Sequence, residues 1–319
     1  MAPLPPPPPK LQKILSIHAH RQAKEELVAL LEESPCVALD LKRIHSGELK
    51  SDAWIPFCVA PTSADLSIPP ELFVSGLRFY LLLPQLLRRT SAVPVMLDQP
   101  REGRRDFSYQ ADLCRRCSGA SCDRHLIHAH ACPLSKSKIS VRHDMVKAVR
   151  AAAIKQAGFT NVRIEPRTNA AQDQRRADII FTAHWGGPTR IEYITDDTIG
   201  HPFSPSNAQI DVLAKLSALK EDHYAEVLTA LRSTNAVLFG QKKIVFWPCA
   251  FTSLGEYGMG TTLCMNAIVA FFRHEAERKI RLDGLKPVLL AAVFRFSLRA
   301  KLQAALLKGN GYFATAVGV

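Results

Sequence analysis

Hydrophobic spacing divides the chain near residue 140. After that point the pattern alternates between helix-like and strand-like periods. The stretch "RHDMVKAVRAAAIKQAGF" repeats its apolar residues at helical spacing and predicts a helix closed by Gly158. "TNVRIEP", "ADIIFTAHW" and "RIEYIT" predict three short strands separated by turn-rich loops. In the third, a two-residue period sends Glu192 and Ile194 to one face and Tyr193 and Thr195 to the other. A long helix follows in "SNAQIDVLAKLSALKEDHYAEVLTAL", with Ser206 or Asn207 as its cap. Then come a strand, "KKIVFWPCAF", a helix, "TTLCMNAIVAFFRHEAERKI", and a last helix from about Pro287 to Leu307 that ends at "KGNG". The order α-β-β-β-α-β-α predicts an α/β (α+β) fold, a mixed sheet flanked by helices.

Upstream of residue 140 the pattern is helical or irregular. "APLPPPPPK" is a polyproline II tract with too little core-forming material to fold, so residues 1–12 are expected to be a disordered tail. Leu11, Ile14 and Leu15, then Leu27, Leu30 and Leu31, recur at helical spacing, and a further helix is expected in "PPELFVSGLRFYLLLPQLL". Residues 13–104 are therefore assigned to a helical segment and "PLSKSKIS" to a polar linker.

Composition sharpens the partner class. With 41 Lys+Arg against 29 Asp+Glu the chain carries +12, which favours a polyanionic partner. There is no run of 18 or more apolar residues, so no membrane span is expected. A start without a basic segment and apolar core predicts an intracellular, non-secreted protein. Of the eight cysteines, four crowd between Cys114 and Cys132, a spacing that suits metal ligation in a reducing compartment rather than a disulfide scaffold.

Cys114 and Cys117 form a CxxC, and His128 and Cys132 supply a second pair about ten residues later. Four such ligands can close a tetrahedral, structural Zn²⁺ site within residues 105–136. Cys122, His125 and His130 compete for the third position. Arg115, Arg116, Arg124, Lys136 and Lys138 place positive charge around the knuckle, as contact with nucleic-acid phosphate requires.

Acidic residues mark a second candidate site. Asp178 opens the second predicted strand, Glu192 lies inside the third and Glu165 ends the first. An acid inside a half-buried strand is costly unless paired or bound to a metal, and converging carboxylates can hold Mg²⁺ for phosphodiester chemistry. The competing reading has Asp178 capping a loop and Glu192 on a solvated face. Tyr193 and the Asp196-Asp197 pair are one residue too far apart for a polymerase palm motif, and with Thr198, Gly200 and Pro202 following, the aspartate pair is expected to begin a loop.

Taken together, Cys114/Cys117/His128/Cys132, Arg142-His143-Asp144, Glu165-Pro166, Arg176-Ala177-Asp178 and Ile191-Glu192 resemble the C-terminal portion of non-LTR retrotransposon polyproteins. Those proteins carry a CCHC knuckle and a restriction-enzyme-like endonuclease of the PD-(D/E)XK class. "DAWIPFCVAPTSADLSIPPELFVSGLRF" and "WPCAFTSLGEYG" resemble segments flanking the same region, and the similarity spans roughly Ala53 to Arg278. It implies an αβββαβ nuclease core over residues 140–285, with 286–319 a C-terminal helix and tail. It also implies catalytic residues Asp178, Glu192 and Lys220, the first two binding catalytic Mg²⁺, and Arg142 and His143 at DNA phosphate or the metal. The helix-end alternative for Arg142 and His143 is bonding to the sheet. The sequence departs from the pattern at Ala177, where Pro is usual, and at Ile194, where Lys is usual. Lys220 of "KEDHY" stands for a lysine supplied by the following helix, with Lys215 as the fallback. The implied activity is metal-dependent nicking of DNA, in the nucleus or cytoplasm, with element RNA as a further partner. The alternatives are an inactive remnant that only binds nucleic acid, or a protein-binding module whose proline tract is an SH3-type ligand.

Overall fold

The computed structural model describes residues 22, 25, 66–74, 87–88, 94–95, 136–166, 176–202, 204, 207, 211–238, 242–280 and 285–316. Within Met1–Ser51, Gln22 and Glu25 are described, and both are helical and exposed. The remaining elements belong to one compact unit, Asp52–Val319. The cysteine–histidine cluster (Cys114, Cys117, His128, Cys132, with Cys122, His125, His130, Arg115 and Arg116) lies outside the described residues.

In chain order the elements are α1 (Lys136–Gln156), β1 (Thr160–Ile164), β2 (Ile179–His184), β3 (Arg190–Gly200), α2 (Val212–Leu238), β4 (Lys242–Thr252), α3 (Met259–Ile280) and α4 (Leu285–Ala316). Before them come a helical turn at residues 70–74 and a two-residue antiparallel pairing of Leu87–Arg88 with Pro94–Val95, inside the segment expected to be helical. The sheet order is β1-β2-β3-β4, the first two pairings antiparallel and the last parallel. The fold is a mixed α/β arrangement, as the alternating periods predict. Pro248 is tolerated because β4 is the edge strand, where a missing N–H leaves no ladder partner unpaired.

Strand alternation builds two cores. Ile179, Phe181 and Ala183 of β2 and Tyr193 of β3 face α1, α3 and α4, where they join Val146, Ile154, Ile268 and Leu302. Tyr193 stacks between Phe181 (5.2 Å) and Trp247 (4.7 Å), while Phe159 meets Phe181 edge-on at 4.9 Å. Ile180, Ile194 and Ile244 point the other way, onto Tyr224 and Leu228 of α2.

Four expectations are corrected. α1 starts at Lys136, inside the expected linker, and ends as predicted, with Gly158 at φ +94°. β3 does not stop at Thr195: all eleven residues pair with β4, from Arg190–Lys242 to Gly200–Thr252, so Asp196 and Asp197 are strand residues. α2 is capped by Asp211, whose Oδ1 accepts from the Leu213 and Ala214 amides at 3.0 and 3.1 Å, rather than by Ser206 or Asn207. α4 runs straight through "KGNG". A Cβ on Gly309 would stand 2.5 Å from Arg142 Cγ, and one on Gly311 would stand 2.5 Å from the Leu72 carbonyl oxygen. These glycines permit close packing on neighbouring segments instead of ending the helix. α4 also contributes Ala291, Phe294, Leu298 and Leu302 to the main core, packing on α1 and α3, so this helix belongs with the sheet domain rather than to a separate tail.

The tightest approach is at the start of α3, where a Cβ on Gly260 would lie 2.2 Å from the Pro248 carbonyl oxygen. Thr261 Oγ1 donates to the Ala250 carbonyl at 2.8 Å beside it. Gly260→Ala is therefore expected to lower stability by about 1–3 kcal/mol in denaturant unfolding, against a helix-propensity gain of about 1 kcal/mol. Exposed Gly187, with open space around its Cβ position, should accept Ala within about 0.5 kcal/mol.

Candidate functional site

A cleft of about 540 Å³ opens where α1, the start of β2, the second half of β3 and the first turns of α2 meet. Its lining includes His143, Asp144, Lys147, Glu165, Asp178 and Lys220. Helical spacing explains the α1 contribution. His143, Asp144 and Lys147 fall on the cleft side, while Arg142, Val146 and Arg150, spaced by four, are buried.

Strand register explains the rest. The last paired residues of β2 and β3 are Ile179 and Thr195, and the Asp178 amide donates to the Thr195 carbonyl at 3.1 Å. One step further along, Asp178 stands beside Asp196, and their carboxyl groups hydrogen-bond to one another. Lys220 Nζ reaches Asp196 Oδ2 at 2.8 Å from α2. Asp178 Oδ2 accepts the Asp197 amide at 2.6 Å and lies 3.0 Å from His143 Nε2. That imidazole nitrogen is also 3.2 Å from the Asp197 carbonyl oxygen. Facing two acceptors, Nε2 carries the proton.

Asp197 turns to the opposite face. Its carboxylate pairs with Arg150, both side chains fully buried, and Arg150 Nη2 donates onward to Cys264 Sγ at 3.3 Å. Glu165 closes the cleft from the end of β1. It holds a left-handed φ of +51°, its amide donates to the Asp178 carbonyl at 2.8 Å, and its carboxylate accepts from Lys147. A non-glycine residue in that region stores strain that its surroundings must hold.

Burial and neighbours set the charge states. Burial raises the Asp196 carboxyl, sharing a hydrogen bond with Asp178 raises it further, and Lys220 opposes both; the result is about 6. Burial would also raise Asp178, but hydrogen bonds from His143 and Asp196 and the charges of His143 and Lys147 hold it below the usual carboxylate range. Burial works against charge on His143, yet the Asp178 hydrogen bond and charge prevail and raise it. Lys147 follows the same logic, its burial outweighed by Glu165 and Asp144.

Among the residues picked from sequence, the structure brings Asp178, Lys220 and His143 together. Glu192 is elsewhere. It lies opposite Thr182, four residues and roughly 13 Å along the strand from Asp196, with Arg163 Nη2 at 3.7 Å. Arg142 is not at a surface that could meet DNA: it is buried and donates to Asn310 Oδ1 at 2.9 Å. Burial lowers its guanidinium to about 10. The residues missed as site members are Asp197, in the metal-competent group, and Asp196, beside Asp178. The signal for Asp196 was the face it shares with Glu192 and Ile194, hidden because the strand was expected to end at Thr195.

His143, Asp178 and Asp197 offer ligand atoms within 4.8 Å of one another, so the group can hold a metal ion. Because Arg150 claims the Asp197 carboxylate, the donors lining the cleft are Asp178, the Asp197 carbonyl and, once deprotonated, His143 Nε2, with Asp196 adjoining them through Asp178. No helix among the described residues is long and apolar enough to cross a membrane. The chain matches no protein-family model and no curated protein sequence.

The raised Asp196 carboxyl has a thermodynamic consequence. Because the folded state holds this proton more tightly than the unfolded one, the associated stability is complete below about pH 4 and lost as pH rises through about 6. Asp196→Asn should escape that loss. Without added metal the variant is expected to be more stable than wild type at pH 8, by at most about 3 kcal/mol for a shift of about two units, and no more stable at pH 3.5. Urea unfolding at the two pH values checks this.

Proposed function

We propose that the chain carries a retrotransposon-derived endonuclease of the PD-(D/E)XK kind, preceded by a CCHC zinc knuckle, which nicks DNA by metal-dependent phosphodiester hydrolysis. The observation that carries this reading is the Asp178–Asp196 carboxyl pair across two central strands, met by Lys220 from the next helix. The α-β-β-β-α-β order of α1 to β4 agrees with the core that the resemblance implies. In this reading the second acid is Asp196 rather than Glu192. The position two residues on is then Thr198, and Lys220 supplies the missing cation. Positive charge on the chain and the basic residues around the knuckle suit DNA or element RNA.

A divalent cation held by Asp178, Asp196 and the Asp197 carbonyl would polarise the scissile phosphate and lower the pKa of a bound water. The protein's own contribution is placement. Lys220, 29% exposed and bound to one oxygen of Asp196, is free enough to turn toward an attacking water or a phosphate oxygen once that carboxylate binds a cation. Arg176 and Ser140 at the cleft wall lie where a phosphate backbone would pass.

Purified chain with Mg²⁺ or Mn²⁺ is expected to convert supercoiled plasmid to the nicked form. Asp178→Asn and Asp196→Asn should each slow this at least about a thousandfold, since the several kcal/mol supplied by a bound metal depend on both. Glu192→Gln should stay within about threefold of wild type. Undiminished nicking by Asp178→Asn would remove the site from consideration. Loss with Glu192→Gln but not Asp196→Asn would return the second role to Glu192. Salt-sensitive DNA binding without nicking under either metal would favour the binding-only remnant.

A further inference from the structure

Lys147 is an unusual occupant for a metal-binding cleft. Its ammonium lies 2.9 Å from Asp144 Oδ1, touches Glu165 Oε1 and stands 3.8 Å from Asp178 Oδ1. The side chain is only 7% exposed and comes from a helix one turn beyond His143, so it is not a swinging arm able to follow a substrate. Asp178 is thereby divided. Oδ2 faces the Asp197 amide and His143, and Oδ1 faces Lys147.

Two-metal phosphoryl chemistry places its cations about 3.5–4 Å apart, bridged by a shared carboxylate. Asp178 is the residue positioned to bridge here, with Asp196 on one side and Asp144 and Glu165 on the other. The second set of three carboxylates is already filled by the ammonium.

Resting on the proposed metal-dependent activity, we propose that Lys147 is a built-in second cation: it occupies the nest of Asp144, Glu165 and Asp178, and so limits the cleft to one divalent ion. Lys147 acts by position and touches no reacting atom. Removing its charge while keeping its length leaves three carboxylates facing one another, an arrangement that a second hard cation relieves.

The test counts Mn²⁺ bound to the full chain by equilibrium dialysis and follows its electron paramagnetic resonance spectrum. Wild type is expected to bind one Mn²⁺ with an uncoupled six-line signal. Lys147→Met is expected to bind two, with signal loss or broadening from exchange between ions that share Asp178, while Lys147→Arg stays at one. Should Lys147→Met fail to fold, Lys147→Gln is read the same way. Two ions in wild type would overturn this inference and leave the nuclease reading standing, as would one ion in both wild type and the uncharged variants. No bound Mn²⁺ in wild type would overturn the inference together with the metal-dependent reading.

Discussion

The arrangement of the cleft depends on the buried ion pair between Arg150 and Asp197. Both side chains are fully removed from solvent, at the boundary between α1 and the central strand β3. Removing either partner would strand an uncompensated charge, a penalty of about 3–5 kcal/mol for buried pairs of this kind. The pair contributes little net stability over an apolar substitute, but it fixes rotation. With Asp197 tied to Arg150, strand alternation turns Asp196 toward Lys220 and Asp178 and aims the Asp197 amide at Asp178. Two adjacent aspartates thus acquire opposite roles, one structural and one chemical, from a single residue of parity.

That division explains how an acid can be kept ready without being neutralised outright. Asp178 and Asp196 share a hydrogen bond in a poorly solvated site, which opposes ionising both, and the surroundings separate them. His143 and Lys147 favour the charged form of Asp178, while burial and the shared hydrogen bond leave the proton on Asp196 up to about pH 6. A bound cation would remove the conflict for both. The site is therefore less stable without a ligand than its packing requires, a frequent property of binding sites for charged groups.

The sheet and its helices were legible because they follow from local periodicity. Tyr193 and Ile194 fall on opposite faces as the sequence predicts, and Ile179, Phe181 and Ala183 against Ile180 follow the same period into the two cores. Long-range contacts were not legible. Gly200 and Pro202 are sound turn signals, yet β3 runs to Gly200 because β4 pairs with it along its whole length, a contact between residues some fifty positions apart. Arg142 has the composition of a phosphate contact and the environment of a core residue. What decides is Asn310, 168 residues away, delivered by a helix whose glycines look like a stop signal.

The same reasoning accounts for why Glu192 was the more attractive acid in the sequence. A carboxylate within an apolar strand demands a partner, whereas a paired Asp-Asp before glycine and proline suggests solvent. In the structure Glu192 has Arg163 Nη2 at 3.7 Å, at a point on β3 roughly 13 Å from Asp196. The two aspartates are removed from water as well, 6% and 2% exposed against 9% for Glu192. Burial of an acid points to function only when its partners leave something unsettled. Arg163 faces Glu192 and Arg150 neutralises Asp197, but Asp196 shares a hydrogen bond with Asp178 beside a partly exposed lysine. Of these three acids, Asp196 is the one whose charge a ligand can still change, and for that reason the proposed chemistry is assigned to it.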